Sequence, residues 1–388
     1  MEPTLFAVAS PGLEAVLAAE IEGLGLGDAT TLAGGVAFRG DLPTLARANL
    51  ELRSAGRILL RAASFPAKRF DDLRRRAAAL AWERWVGRGD SVALRVTCRK
   101  SRLWHSGAVG ERVMEAIASR LGFEPSRARP EPDDDDSHAP LNASRPRVQL
   151  VLVRIENDAC TVSVDSSGEP LHRRGYRLAV GRAPLRETLA AGLVLASGWD
   201  RQTPLVDPFC GSGTLVIEAA LLAHGRAPGR DRSFAFEAWP EHDRSACTAL
   251  RRAAQDREAR MLPQPLVGFD RDAGAVEAAC ANARRAGVEG SVRFERRSVS
   301  SIEAPQGRGF VVTNPPHGVR LSRGADLRDL YARFGHVLRE RFPGWGVAML
   351  CPDPRLAKAS ALELRPMARI SHGGLRLSIV TGRVPEPG

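Results

Sequence analysis

Two short stretches carry residue types and spacings on which chemistry can be built. The first, Asp207-Pro208-Phe209-Cys210-Gly211-Ser212-Gly213-Thr214, follows the apolar Pro204-Leu205-Val206 and leads straight into Leu215-Val216-Ile217-Glu218-Ala219-Ala220-Leu221-Leu222. That order predicts a buried strand, a tight turn and a helix. Glycines at 211 and 213 let the backbone turn sharply and keep side chains out of the space beside it, while the helix start presents N–H groups without intrahelical partners. Such a turn can cradle a nucleotide-type ligand. It has neither the G-x-G-x-x-G spacing of a dinucleotide site nor the Gly-Lys-Ser/Thr ending of a phosphate loop, which disfavours nicotinamide cofactors and ATP. The second stretch is Phe310-Val311-Val312-Thr313-Asn314-Pro315-Pro316-His317-Gly318-Val319-Arg320-Leu321. Pro315 and Pro316 remove two N–H donors and stiffen the chain after a predicted strand, leaving the Asn314 amide oxygen and the Pro315 carbonyl as neighbouring acceptors. Taken singly, either stretch also fits a turn that only closes a strand.

The elements that must position these stretches alternate strand with helix. Strands are predicted at 265–270, 291–296, 309–313 and 345–351, with helices near 272–286 and 325–341, which together make a doubly wound parallel sheet. A helix is predicted from Ala183-Pro184 to Leu195, with Pro184 in its first turn. A final strand, Leu375 to Val380, follows Ala368-Arg369-Ile370 across a His372-Gly373-Gly374 turn. The carboxyl ends of the first strands are where a ligand belongs in such a sheet.

Upstream, residues 4–60 read as a small α/β unit with strands at 5–9, 35–40 and 57–62 and helices at 12–24 and 42–50, suggesting a ferredoxin-like arrangement. A second unit follows from about 65 to 165, with helices near 69–81 and 105–121 and strands near 91–98 and 147–164. Its basic residues cluster at Arg99, Lys100 and Arg102, after a strand; Arg173 and Arg174 form another basic stretch in a connection that also holds Tyr176. Both could meet phosphate or simply face solvent. Glu131-Pro132-Asp133-Asp134-Asp135-Asp136-Ser137 reads as a flexible acidic loop.

At 388 residues the chain is long enough for two or three domains, and 44% hydrophobic with 26% charged residues is ordinary for a globular protein. No apolar run approaches the roughly 20 residues a bilayer demands, and the amino terminus has no signal-peptide pattern, so a cytoplasmic location is expected. The six cysteines, at 98, 160, 210, 247, 280 and 351, include no C-x-x-C pair, which argues against a zinc site and against a disulfide framework. The net charge of +11 is carried almost wholly by arginine, a residue suited to phosphate, and points to nucleic acid; arginine-rich usage from genomic base composition is the alternative.

Asp-Pro-Phe-Cys-Gly-Ser-Gly followed by Asn-Pro-Pro resembles the S-adenosylmethionine loop and catalytic loop of methyltransferases that modify exocyclic amino groups of nucleic-acid bases. In order, His172-Arg173-Arg174-Gly175-Tyr176-Arg177, Ala183 to Ala191, Gly198-Trp199, the glycine turn, Arg226-Ala227-Pro228-Gly229 and Phe234 to Pro240 resemble the bacterial THUMP-domain methyltransferases that make N2-methylguanosine in 23S rRNA. The likeness covers nearly the whole chain. It implies a class I (Rossmann-like) methyltransferase sheet with a reversed last strand at 183–388, a linker at 166–182, a THUMP RNA-binding domain at 65–165 and a ferredoxin-like unit at 1–64. It implies S-adenosylmethionine as cofactor, RNA, most simply rRNA, as partner, and no metal. The implied cofactor residues are Asp207, Phe209, Cys210, Gly211, Ser212, Gly213, Thr214, Asp270 and Ser298. The implied catalytic residues are Asn314, Pro315, Pro316 and His317, and Arg99, Lys100, Arg102, Arg173 and Arg174 are the candidates for RNA. Asp270, ending a predicted strand, can accept both ribose hydroxyls or cap the next helix.

Two positions depart from the family pattern. Ser298 stands where an acidic residue usually holds the adenine amino group, and His317 stands where an aromatic usually follows Asn-Pro-Pro. A tRNA or other RNA base methyltransferase, or an RNA-binding assembly factor with weakened activity, are the alternatives. The domain division predicts that a fragment without residues 1–165 folds and binds cofactor.

Overall fold

The computed structural model describes residues 3–130, 147–177, 185–317, 327–372 and 374–386. The acidic loop at 131–137, the helix start expected at 183–184, residues 318–321 and Gly373 lie outside them.

The amino-terminal half is built on one eight-stranded sheet. Its strands are β1 (Thr4–Ala9), β2 (Thr30–Leu32), β3 (Gly35–Arg39), β4 (Ala55–Pro66), β5 (Ser91–Arg99), β6 (Ser126–Ala128), β7 (Val148–Glu156) and β8 (Ala159–Asp165), in the order β2-β3-β1-β4-β8-β7-β5-β6. Helices α1 (Glu14–Gly23), α2 (Leu42–Glu51), α3 (Phe70–Ala78) and α4 (Ser106–Leu121) belong to this half. Leu5, Ala7, Ile58, Leu60, Val151, Val153, Val162 and Val164 alternate into the apolar core, as the period of a strand requires. The two upstream units share this sheet because β4 is twice the expected length: its first part pairs with β1 and its second, through Pro66, with β8.

The second sheet holds β9 (Leu205–Asp207), β10 (Leu266–Asp270), β11 (Val292–Arg296), β12 (Phe310–Thr313), β13 (Gly346–Cys351), β14 (Leu364–His372) and β15 (Leu375–Arg383). Their order is β11-β10-β9-β12-β13-β15-β14. β9 to β13 run parallel and β15 runs antiparallel to both of its neighbours, the reversed strand expected from sequence. This is the class I methyltransferase fold. The helices are α5 (Glu187–Ala196), α6 (Thr214–Ala223), α7 (Arg244–Asp256), α8 (Ala273–Ala286), α9 (Leu327–Arg341) and α10 (Pro354–Ala359). α5 starts later than expected, because Arg186 is extended and stands before the first turn. β2, β6, α7 and α10 carry no pattern strong enough to predict. α7 fully buries only Ala254, with Cys247 and Leu250 half-buried on the same face, so its apolar stripe is narrow, and α10 has six residues.

All six cysteines are free, and no candidate metal cluster occurs among the described residues. No helix there is long and apolar enough to cross a membrane.

Candidate active site

β9, at the centre of the parallel strands, ends on Asp207, and the chain turns at once into α6. Gly211 and Gly213 have φ of +51° and +84°, conformations that cost a side chain strain. At Gly213 an added Cβ would meet Phe294 Cζ at 2.8 Å and Ala279 Cβ at 2.9 Å, so this glycine lets β11 and α8 close on the turn. At Gly211 an added Cβ would meet nothing within 4 Å: the space beside it is open. The Cys210 N–H donates to Phe269 O and the Gly213 N–H to Cys210 O, which ties the turn to β10 and to itself.

Asp207 and Asp270 anchor the turn from two strands. Asp207 Oδ1 accepts from the Phe209 N–H (3.1 Å) and from the Thr313 hydroxyl (2.6 Å), linking the glycine turn to the residue before Asn314. Its side chain is buried, and burial pushes the carboxyl up to about 7; the Thr313 and Phe209 bonds oppose this, and neighbouring Asp270 adds to it. With 1% exposure, Asp207 offers a ligand the placement of Phe209 and Thr313 rather than a surface of its own. Asp270 accepts from the Gly211 N–H and the Asp272 N–H, both at 3.0 Å, and stays half-buried. It does not cap α8; Asp272 does, accepting from the Ala275 N–H.

The remaining turn residues are structural neighbours of that space. Phe209 packs edge-on against Phe334 at 5.7 Å. Cys210 is buried, and its thiol is held well above its ordinary range by burial, which suits a small apolar filler. Ser212 O accepts from Asn282 Nδ2 at 3.0 Å, and Thr214 opens α6, buried. Ser298 is exposed beyond β11, and its hydroxyl accepts from the Ser300 N–H at 3.4 Å. The Arg297 N–H donates to Asp270 O (2.9 Å), which brings this connection beside the end of β10.

At the end of β12, adjacent to β9, Asn314 Oδ1 is buried and has no hydrogen-bond partner among the described residues. Pro315 behind it is buried, and Pro316 and His317 are half-buried. A buried amide oxygen without a donor is an acceptor waiting for one. The structure thus brings Asp207, the glycine turn, Asp270 and Asn314 together at the carboxyl ends of β9, β10 and β12, where an open α/β sheet binds ligands. Sequence reading missed Thr313 and Asn282. Asn282, fully buried on a helix, is the kind of polar residue whose burial signals a bonded partner, but burial is not visible in sequence.

The basic candidates separate. Arg99, the last residue of β5, and Lys100 and Arg102 beyond it are exposed. Arg173 and Arg174 are not available to phosphate: the Arg173 guanidinium pairs with Glu169, and Arg174 is 6% exposed and pairs with Glu218 at 3.2 Å. Arg174 also donates to Arg53 O at 2.6 Å, and the Tyr176 hydroxyl donates to Glu218 at 2.8 Å. These arginines hold the junction between the two halves.

Comparison with known proteins bears on the same residues. Residues 174–376 match the family described as RMKL-like methyltransferase domain, and residues 4–59 match the RlmL ferredoxin-like domain. A protein of Syntrophotalea carbinolica named ribosomal RNA large subunit methyltransferase K/L is 37% identical over 98% of this chain and 53% of its own length. The chain therefore spans about half the length of that relative. A Synechocystis protein with a provisional RNA methyltransferase name is 32% identical over 97% of this chain and 95% of its own. The crystal structure of SMU.472, described as a methyltransferase complexed with SAH, superposes with a TM-score of 0.85 over the whole of both chains at 31% identity.

Proposed function

The chain belongs to the RMKL-like methyltransferase family, and from that premise we propose that it transfers a methyl group from S-adenosylmethionine to the exocyclic N2 of a guanosine in large-subunit ribosomal RNA. The observation that carries this reading is the buried, unpartnered Asn314 Oδ1 beside the glycine turn. The named substrate of the Syntrophotalea relative and the SAH bound to SMU.472 support it.

The residues fit the cofactor: the space beside Gly211 is open, and half-buried Asp270 stands at the end of the next strand. Asp270 would accept the ribose hydroxyls while its backbone bonds keep it aimed, the turn from Phe209 to Thr214 would line the rest, and Ser298 would accept from the adenine edge. When bound, the cofactor supplies an electrophilic methyl group. The chain's task is to hold the amine. Asn314 Oδ1 and the Pro315 carbonyl accept its two N–H groups, which leaves the nitrogen lone pair free to attack, and Pro316 keeps the pair stiff. No side chain has to remove a proton beforehand, because the cationic product loses one readily. His317 stacks on the guanine ring as a flat surface. Residues 1–165 contribute the RNA-holding part, with Arg99, Lys100 and Arg102 on phosphate and the second unit as the THUMP domain. Ribosomal RNA as substrate puts the reaction in the cytoplasm.

The test is nucleoside mass spectrometry of large-subunit rRNA from cells with and without the gene, with methyl transfer to that RNA by the purified protein. Loss of N2-methylguanosine from the rRNA of deleted cells is expected. Unchanged rRNA with loss of the nucleoside from tRNA would move the substrate, and no change in either would end the reading in favour of an RNA-binding factor.

A further inference from the structure

Five of the six tryptophans, at 82, 85, 199, 239 and 345, are at most 7% exposed, whereas Trp104 is 75% exposed. It stands in the connection from β5 to α4, and that connection is fixed on both sides of it. The Ser101 hydroxyl donates to Arg99 O (2.7 Å) and accepts from the Asp158 N–H (3.0 Å), and the Arg102 N–H donates to Asp158 Oδ1 (2.7 Å). Leu103 is buried in the core of the sheet. His105 caps α4, its Nδ1 accepting from the Ala108 N–H, and its ring meets the indole edge-on at 5.7 Å. The indole is thus held outward by a loop that has little freedom left to lose on binding.

Its surroundings are cationic and not apolar. Arg99 and Lys100 are exposed and form no ion pair among the described residues, while Arg102 faces Asp158 at 4.0 Å and Glu156 is taken by Arg154 at 2.7 Å. The other large exposed apolar residue of this part of the sheet, Val148, lies beside Ser91 at the opposite end of β5. A lone flat ring among cations, without an apolar patch around it, does not suit a protein partner or a lipid surface.

We propose that residues 99–105 bind an unpaired nucleotide of RNA, its base stacked on the Trp104 indole and its flanking phosphates on Arg99 and Lys100. A duplex keeps its base faces covered, so an exposed ring selects single strand. The site lies on a different sheet from Asn314, and it rests on the reading of RNA as the substrate.

The experiment uses the full chain and its Trp104→Ala and Trp104→Phe variants. The probes are a labelled oligoadenylate of about twelve nucleotides and an RNA duplex of the same length. Trp104→Ala should weaken the single strand about tenfold or more and the duplex much less, and Trp104→Phe should keep most of the affinity. Oligoadenylate should also quench the exposed tryptophan emission of the unmodified chain, a signal that Trp104→Phe loses while still binding. Equal affinity of all three proteins for the single strand would overturn the proposal, as would quenching by anionic phosphatidylglycerol vesicles but not by RNA. Quenching by oligoadenylate in a protein that methylates no RNA would leave this site standing and remove the proposed reaction; methyl transfer with Trp104 unresponsive to RNA would do the reverse.

Discussion

Asn314 keeps a buried oxygen without a donor, a state that costs about 1–3 kcal/mol and is tolerated where a ligand relieves it. Asn314→Ala should therefore lower single-turnover methyl transfer by about a hundredfold or more while S-adenosylhomocysteine and RNA still bind, because the oxygen is proposed to act on the amine as charge develops there. Its melting temperature should hold or rise, since no internal bond is lost and the unpartnered oxygen is removed; turnover near that of the unmodified protein would remove Asn314 from the chemistry. Asp207 gives a second, pH-dependent test. Its folded carboxyl titrates at about 7 against an ordinary value of 3.8, raised by burial, so the folded state binds that proton more tightly than the unfolded state. Its contribution to stability is complete below the ordinary value and is lost as pH rises through about 7. The unfolding free energy of the unmodified chain minus that of Asp207→Asn should fall between about pH 4 and 7 and then level, measured by urea denaturation. The comparison is with the variant because buried Glu187 is raised to about 7 as well; a flat difference would refute the assignment. Asp207 and Asp270 stood out as candidates because each ends a predicted strand, and Asn314 because it follows one within Asn-Pro-Pro. Thr313 and Asn282 did not, since their partners lie 106 and 70 residues away. Arg173 and Arg174 read as a free basic run because sequence does not show which carboxylates pair with them: Glu169, one helical turn's spacing before Arg173, and Glu218 on α6 for Arg174.

At the scale of elements, the strand, glycine turn and helix from β9 to α6 separate two demands that the sequence presents as one motif. Gly213 is needed by the fold, because a Cβ there would crowd Phe294 and Ala279, while Gly211 borders open space. Gly213→Ala should cost about 1–3 kcal/mol from overpacking and a further 1–2 from the left-handed backbone. Gly211→Ala should lose only the backbone share but place a methyl group where the cofactor is proposed to lie. Denaturant unfolding and calorimetric titration with S-adenosylhomocysteine would separate them: Gly213→Ala loses stability first, Gly211→Ala loses affinity first. An unaltered affinity in a folded Gly211→Ala protein would place the cofactor elsewhere. Periodicity found the strands of the second sheet and the helices with an apolar stripe. It missed α7, whose apolar stripe is limited to Cys247, Leu250 and Ala254, and the full length of β4, which follows from pairing with β8 far along the chain.

For the molecule as a whole, the division into an amino-terminal half proposed to hold RNA and a carboxy-terminal half proposed to carry the reaction does not mark where the chain can be cut. Phe234, Phe236 and Trp239 follow β9 and α6 in sequence yet are buried in the core of the amino-terminal sheet. The Phe236 N–H donates to Ser166 O (3.0 Å) and Trp239 Nε1 donates to Gln149 Oε1 (2.8 Å). In the other direction, Leu13, just before α1, and Val16 within it join the core around α5, and Arg53 donates to Leu221 O at 3.2 Å. The Arg174–Glu218 pair is almost fully buried at this junction, so Arg174→Met should destabilise the whole protein by about 3–5 kcal/mol by leaving Glu218 a buried charge with one cation fewer. A fall in RNA affinity with unchanged stability would restore Arg174 to the RNA surface. The same junction revises the expectation for a fragment lacking residues 1–165. Uncovering three aromatic side chains forfeits about 1.5–3 kcal/mol each, a sum comparable with the roughly 5–15 kcal/mol of net stability of a whole domain. Leu50 and Ala227, which pack together across the boundary, would part as well. The 166–388 fragment should therefore unfold without a cooperative transition and bind S-adenosylhomocysteine weakly, while the full chain does both well. Circular dichroism melts and titration of the two proteins side by side decide the matter. A fragment that melts sharply near the temperature of the full chain and binds with equal affinity would show that the carboxy-terminal half folds without its partner and that the buried aromatics serve only to dock it.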